Sequence, residues 1–377
     1  MLTGGGTGGH FYPMIAVAEA IRALVAERKL LEPELYFFGP SVLDERALFD
    51  LDITFVRIPA GKIRRYASLL NITDACKTAF SILTTTIRLY QLYPDVVFSK
   101  GGYGAAPTLM AARILRIPVV IHDSDAVPGR VTLLAVPFAK RIALSFDGAL
   151  EYLPAAAHAR AALTGNPIRR DLASPAREGA KEFLELTDQI PTLLVLGGSQ
   201  GALALNNAVL EALPDLVQHY NVVHQTGTDH FESVTSTAQI VLDKNERRYR
   251  YKPYPFLSPL ALKMAAGAAD LVISRAGAGS IFEIASWGTA SLIVPLPDSA
   301  QDHQRANAFA YARAGACSVL EQSNLTPHIL VAEIERLFTN PKARTDMAEA
   351  ARRFARPDAA HAIAEAVLDV ALEHAAD

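Results

Sequence analysis

Along the chain, short apolar runs alternate with longer stretches whose apolar positions recur at helical spacing. The runs are ELYFF (34–38), DVVFS (95–99) and PVVIH (118–122) in the first half, then TLLVLG (192–197), NVVHQ (221–225), DLVIS (270–274) and SLIVP (291–295) in the second. Near-continuous apolar strands separated by helices predict parallel sheets covered on both faces. Because the pattern occurs twice, the expected fold class is α/β, with two Rossmann-like, doubly wound domains. The first strand is short: Met1, Leu2 and Thr3 alone precede a glycine run, against about five residues for an ordinary strand. Either that strand starts upstream, or this edge of the sheet is abbreviated.

Between the halves, Gly165-Asn166-Pro167-Ile168-Arg169-Arg170 combines turn formers with a proline that helices reject, and a charged helix and a fresh strand follow. This segment is the expected hinge, giving domains over 1–165 and 166–357. After Arg356-Pro357-Asp358 an Ala-rich helix over 358–377 is expected to pack back on the first domain. No internal repeat or low-complexity tract is visible.

Composition narrows the classes. At 377 residues, half of them hydrophobic, the chain can bury two cores. A net charge of −3 and a pI near 6.4 argue against nucleic acid as a partner. The cysteines, Cys76 and Cys317, lie far apart and have no His or Cys at ligand spacing, so neither a disulfide framework nor a zinc site is expected, and a reducing cytoplasm fits. No secretory leader is visible, and no run reaches the ~18 apolar residues of a membrane span. A soluble or peripheral protein is expected.

The candidate chemistry sits in three glycine-rich loops. TGGGTGGH (3–10) places five glycines among eight residues before a helix, where backbone N–H groups can close on an anion. Gly4, Gly6 and Gly9 fit the dinucleotide fingerprint, but ELYFF runs into Gly39-Pro40-Ser41, with no carboxylate for an NAD ribose. LLVLGGSQGALALNNAV (193–209) repeats the strand, loop and helix, with the Ser199 hydroxyl as an added donor, and FSKGGYGAAP (98–107) has the same small-residue character. Any one of these could be a plain βα turn. Three at strand ends together suggest a diphosphate site.

GGGTGGHFYP, SKGGY, VVIHDSDAVPGR, TGNPIR, GGSQGA, SRAGAGSIFEIA and DHQRANA, in this order, resemble the MurG family over most of the chain. Members transfer N-acetylglucosamine (GlcNAc) from UDP-GlcNAc to lipid I (undecaprenyl-diphosphoryl-N-acetylmuramoyl-pentapeptide), making lipid II for peptidoglycan. The resemblance implies a GT-B fold of two Rossmann-like domains facing a cleft, with the nucleotide held mainly by the C-terminal domain and the acceptor by the N-terminal one. It also implies a peripheral protein on the cytoplasmic face of the plasma membrane. No cofactor is expected, and no metal.

Carried over by position, Thr7, Gly8 and Gly9 would lie near the donor diphosphate and sugar. Ser199, Gln200 and Gly201 would lie on the phosphates, with Ala278, Gly279 and Ser280 in the second nucleotide loop. Glu283 would accept from the ribose hydroxyls, Gln304 would read sugar hydroxyls, and Arg169 would help fix the nucleotide; ordinary helix-start or solvated roles are the alternatives. Gly101, Gly102 and Tyr103 would face the acceptor. His10 is the expected base for an inverting transfer, since imidazole titrates near neutrality, or else it orients the loop. It precedes Pro13, which suits a first helical turn.

Asp123 and Asp125 form a D-x-D pattern that could suggest a metal. The resemblance argues otherwise: the family's segment is usually HEQNA, so Asp125 falls where an asparagine contacts the donor sugar. A carboxylate only accepts hydrogen bonds where an amide also donates, so a different donor sugar is conceivable. Ala276 and Ser280 depart modestly from the commoner Ser and Thr. Residues 61–90, with Lys62, Arg64, Arg65, Lys77 and Arg88 beside apolar side chains, are read as a surface for anionic lipid or as a core-packing helix with solvated flanks. Two other classes stay open: a related UDP-sugar enzyme such as an epimerase, and a UDP-sugar-binding homologue with little catalysis.

Overall fold

The computed structural model describes residues 1–5, 7–59, 70–198 and 201–376, with backbone alone at 70–77 and 375–376. The chain divides into two compact units, Met1–Arg169 with Arg356–Asp377, and Arg170–Ala355. The first carries strands β1 (Leu2–Thr3), β2 (Leu35–Gly39), β3 (Ile53–Arg57), β4 (Val97–Ser99), β5 (Val119–Asp123), β6 (Arg141–Leu144) and β7 (Ala161–Leu163). The second carries β8 (Thr192–Leu196), β9 (Asn221–Gln225), β10 (Tyr251–Tyr254), β11 (Leu271–Ser274), β12 (Ser291–Ile293) and β13 (Ser318–Val319).

Among the described residues every strand pair is parallel, in the orders β3-β2-β1-β4-β5-β6-β7 and β10-β9-β8-β11-β12-β13. Each sheet thus starts in its middle, winds outward to one side, and then crosses back to build the other. The switch points lie between β1 and β4 and between β8 and β11, where such sheets open a crevice at the carboxyl ends of their strands.

The apolar runs are continuous because both faces are covered. In the first unit Leu2, Phe37, Phe98 and Val120 point to one core, shared with helix Gly8–Glu27, while Phe38, Val97, Val119 and Ile121 point to the other, shared with helix Ala106–Leu115. That alternation is the period-two geometry of a strand. Burying each such side chain stabilises by about 1.5–3 kcal/mol.

The short first strand corrects one expectation. β1 is central rather than an edge: Leu2 pairs with Phe37 and Phe98, and the Thr3 hydroxyl donates to the Phe38 carbonyl at 2.9 Å. Neighbours on both sides let two residues hold their place. The last helix, Ala359–Ala376, packs on helix Gly8–Glu27 through Ile363, Ala364, Val367 and Leu368, and Arg28 pairs with Glu365 and Asp369 at its rim. Among the described residues no helix is long and apolar enough to cross a membrane.

Candidate active site

At the first switch point two glycine loops press together. β1 runs into Gly4 and Gly5, and β4 into Lys100, Gly101 and Gly102, with the Lys100 amide donating to the Thr3 carbonyl at 2.9 Å. Gly102 has φ 77° and ψ 162°, a region that side chains exclude, and a Cβ there would stand 2.8 Å from Gly5 Cα and 3.2 Å from His10 Nε2. A Cβ on Gly104 would meet the Gly4 carbonyl at 2.7 Å. The bareness of SKGGYG is therefore a packing requirement. Tyr103 opens a short 3₁₀ turn beside it.

His10 lies in the first turn of helix Gly8–Glu27, half-buried, with its ring against Gly5 and Gly102. Its Nδ1 is 2.7 Å from the Thr7 hydroxyl. Thr7 is the residue before the helix, yet its hydroxyl serves the imidazole and makes no cap bond. In the tautomer where Nδ1–H donates to Thr7, Nε2 presents a lone pair. Pro13 corrects an expectation: because the helix begins at Gly8, Pro13 sits in its second turn, with no N–H to offer the Gly9 carbonyl.

The end of β5 carries the two aspartates. Asp123 is buried, its oxygens accepting from the Asp125 amide at 3.1 Å and the Gly129 amide at 2.9 Å. Burial, then the neighbouring Asp125, raise its pKa. Asp123 thus shapes the loop, and among the described residues no cluster of three His, Cys, Asp or Glu side chains could hold a metal. Asp125 is half-buried on that loop. Behind it the Ser124 hydroxyl donates to Asn166 Oδ1 at 2.8 Å and accepts from the Lys100 ammonium. His122, held well below the usual imidazole range chiefly by burial, bonds the Gly165 carbonyl at 3.0 Å. Arg169 stacks over the Tyr12 ring at 4.5 Å. Lys100, Ser124 and Asn166 lie within the quoted motifs but carry no spacing signature that would single them out.

The second switch point repeats the plan. β8 leads through Gly197 and Gly198 to Gly201 and helix Leu203–His219, while Ser199 and Gln200 lie outside the described residues. Gly201, at φ 79°, would put a Cβ 2.5 Å from the Thr226 carbonyl. Beneath the loop, His224 joins Asn206 and Tyr251 by 3.0 Å hydrogen bonds, and Asn206 Nδ2 donates to the Thr226 carbonyl at 2.9 Å. Burial lowers the His224 pKa to about 3, so it stays neutral.

β11 ends at Ser274, and Arg275, Ala276 and Gly277 lead into helix Ala278–Trp287, which holds Gly279, Ser280 and Glu283. Glu283 falls in the second turn, not at the helix start, so interaction with the macrodipole is a weaker account of it. Arg275 is buried, donating to the Val294 carbonyl at 3.2 Å and to Gln322 Oε1 at 2.7 Å, and Asn307 donates to the Ala276 carbonyl at 3.2 Å. Gln304 Oε1 accepts from the Leu296 amide at 3.0 Å. Before it, Asp298, Gln301 and Asp302 all adopt left-handed backbone, φ 54–60°, a cost that tends to collect at functional loops.

Two features say what this geometry suits. The helices beginning at Gly8, Leu203 and Ala278 have no side-chain cap, which is also true of those beginning at Ala106, Arg130, Phe231 and His303. Uncapped N–H groups carrying the positive end of the dipole suit anions. Second, a Cβ on Gly9, Gly277 or Gly279 would meet nothing within 4 Å. Packing does not demand those glycines, and their bare backbone leaves room for the close approach of a ligand.

Two Rossmann-like domains with bare glycine loops at both switch points fit the architecture of a sugar-nucleotide glycosyltransferase. Residues 1–144 match the glycosyltransferase family 28 N-terminal domain and residues 192–363 its C-terminal domain. A relative from Treponema denticola, UDP-N-acetylglucosamine--N-acetylmuramyl-(pentapeptide) pyrophosphoryl-undecaprenol N-acetylglucosamine transferase, is 36% identical over 88% of this chain and 86% of its own. The crystal structure of Acinetobacter baumannii MurG matches with a TM-score of 0.71 at 29% identity, over 98% of both chains. The chain belongs to the MurG family of glycosyltransferase family 28, with the GT-B fold. A UDP-GlcNAc 2-epimerase from Neisseria meningitidis shares the fold, at TM-score 0.65 and 16% identity over 98% of this chain and 99% of its own.

Proposed function

We propose that this protein is a hexosyltransferase that moves GlcNAc from UDP-GlcNAc to the C4 hydroxyl of lipid I, forming lipid II for peptidoglycan. The observation that carries this reading is the Thr7–His10 pair seated between two glycine loops, in a chain similar to such transferases over nearly its whole length. The epimerase likeness is one of fold alone.

His10 Nε2 takes the proton of the acceptor hydroxyl as that oxygen attacks the anomeric carbon of GlcNAc. The new C1–O4 bond forms as the bond from C1 to the β-phosphate oxygen breaks, inverting the configuration and releasing UDP. Thr7 holds the imidazole in the basic tautomer, a positioning role. N–H groups of Gly8, Gly9, Gly201, Ala278, Gly279 and Ser280, with Ser199 and Gln200, meet the charge of the departing diphosphate, and no metal is invoked. Glu283 accepts from the ribose hydroxyls, Gln304 and Asp125 read the sugar, Arg169 steadies the nucleotide, and Gly101, Gly102 and Tyr103 face the acceptor.

The lipid acceptor calls for a membrane surface. On helix Leu70–Leu92, Phe80, Leu83, Ile87 and Tyr90 are each more than half exposed and recur at spacings of three and four, one face of a helix. Ser81, Thr85 and Leu89 on the other face are buried. In this reading the exposed stripe docks on the cytoplasmic leaflet. Of the basic residues assigned to that surface, Lys62, Arg64 and Arg65 and the Lys77 side chain lie outside the described residues, and Arg88 is exposed, donating to the Arg57 carbonyl at 3.2 Å.

The test is transfer of labelled GlcNAc to a short-chain lipid I analogue with EDTA present, beside the C4-epimeric donor. Product from UDP-GlcNAc with EDTA is expected. Transfer from the epimer alone would overturn the assigned donor, and no transfer from either would overturn the function. His10→Ala should lower kcat by roughly 10²-fold or more, and near-normal turnover at saturation would remove His10 as base.

A further inference from the structure

Arg275 follows β11 and is 9% exposed. A buried cation is costly unless something compensates it, yet among the described residues no carboxylate pairs with this one. Its guanidinium donates to the Val294 and Pro295 carbonyls, at 3.2 and 3.5 Å, and to Gln322 Oε1 at 2.7 Å, all neutral acceptors. What the group grips shows its use. Val294 is tied to the end of the sheet, its amide donating to the Ser274 carbonyl at 2.8 Å. Pro295 is the next residue and has no N–H with which to continue that anchor, so beyond Val294 the chain is held by its carbonyls.

The Pro295 carbonyl and the Leu296 N–H belong to one planar peptide unit. Arg275 holds its oxygen, and its N–H donates to Gln304 Oε1 at 3.0 Å. The Gln304 backbone amide is held in turn by the buried Ser299 hydroxyl at 3.2 Å. Between that peptide and Gln304 the chain passes through Asp298, Gln301 and Asp302 in left-handed backbone, a loop that keeps its shape only where its surroundings impose it. We infer that Arg275 is a positioning residue for recognition of the donor sugar: it fixes the Pro295–Leu296 peptide, and that peptide fixes the Gln304 side chain. The inference rests on the transferase reading, in which Gln304 reads the sugar. Gln322, half-buried in the 3₁₀ turn Gln322–Asn324, steadies Arg275 from the outer side.

The test uses the full chain with Arg275→Met, which removes charge and donors, Arg275→Lys, which keeps the charge without the planar fork, and Gln322→Met, which removes one acceptor at a half-buried position. Each is made in the native and the Gln304→Ala backgrounds. Two readouts are compared: kcat/KM for UDP-GlcNAc with the lipid I analogue, and the affinity of UDP, which lacks the sugar, by calorimetric titration. Both Arg275 changes should lower kcat/KM by about tenfold or more and Gln322→Met by about threefold, with UDP affinity kept within about twofold of native. Beside Gln304→Ala each further loss should shrink to about twofold or less. An equal loss of UDP affinity would overturn the inference and assign the Arg275 charge to the diphosphate. Undiminished losses beside Gln304→Ala, or native kinetics throughout, would overturn it too, leaving Arg275 a role in the scaffold alone. Where Arg275→Met does not fold, Gln322→Met decides by the same readouts. If the native chain transfers nothing, the functional reading fails and the inference falls with it.

Discussion

Gly102→Ala probes the contact between the two glycine loops. The native φ 77°, ψ 162° belongs to a region that is nearly glycine's alone, and forcing an alanine into it costs about 1–3 kcal/mol. The new Cβ would also meet Gly5 Cα at 2.8 Å and Gly5 N at 3.0 Å. Both are backbone atoms that cannot rotate away, so the loops must part by roughly half an ångström or more to reach ordinary contact. Together the two effects should remove about 3 kcal/mol. In a domain of this size that lowers the melting transition by roughly 6–12 °C. The same methyl lies 3.2 Å from His10 Nε2. The imidazole must then shift, and at temperatures well below melting kcat should fall by roughly tenfold or more. Calorimetry and steady-state transfer check the two halves separately. Gly148→Ala is the control: its Cβ meets nothing within 4 Å, in a 3₁₀ turn that belongs to neither glycine loop, and both readouts should match the native chain. A Gly102→Ala protein with native melting and native kcat would refute the claim that these loops fix the histidine.

Gly279→Ala should stabilise helix Ala278–Trp287 by up to about 1 kcal/mol, since its methyl meets nothing, while weakening UDP binding by calorimetric titration. Unchanged affinity would mean that no ligand approaches there. Replacing Leu83 and Ile87 with serine should leave the melting temperature within about 1 °C, because both are exposed, yet release the protein from anionic vesicles in a flotation assay. Equal flotation would end the stripe's membrane role. Stability against pH tests the buried charge of Lys100. Its folded pKa is about 8 and its unfolded one about 10.4. Between these values the unfolded chain binds more protons, so native stability should rise relative to Lys100→Met by about 3 kcal/mol from pH 8 to 10.5. Parallel curves from urea titrations would show that the ammonium is not buried at such cost.

The strands legible in the sequence are those with covered neighbours. β2, β4, β5, β8, β9, β11 and β12 are apolar runs because both faces are buried, and β1 shows through the glycines that follow it. β3, β7, β10 and β13 escape because they are edges, half in water: their residues are mostly partly or fully exposed, and so carry the mixed composition of a loop. β6 also escapes, four residues that open on an exposed Arg141. The site divides along a similar line. Glycine reports itself, so the loops at both switch points are visible from sequence, and the motif order names His10, Glu283 and Gln304 as candidates beside them.

What supports those residues is silent, because a buried polar group is defined by its partners, and partners are assembled by topology. Lys100, Ser124 and Asn166 are separated by 24 and 42 residues and become one chain of hydrogen bonds only when β4, β5 and the segment after β7 reach the same sheet end. Asn206 and His224 meet under the second loop for the same reason. The D-x-D pair shows the limit most sharply. In sequence it is a candidate metal motif or a changed sugar contact. In the fold one aspartate is taken up by its own backbone and the other stays half-buried on the same loop, so the spacing that suggests chelation instead belongs to the making of a loop.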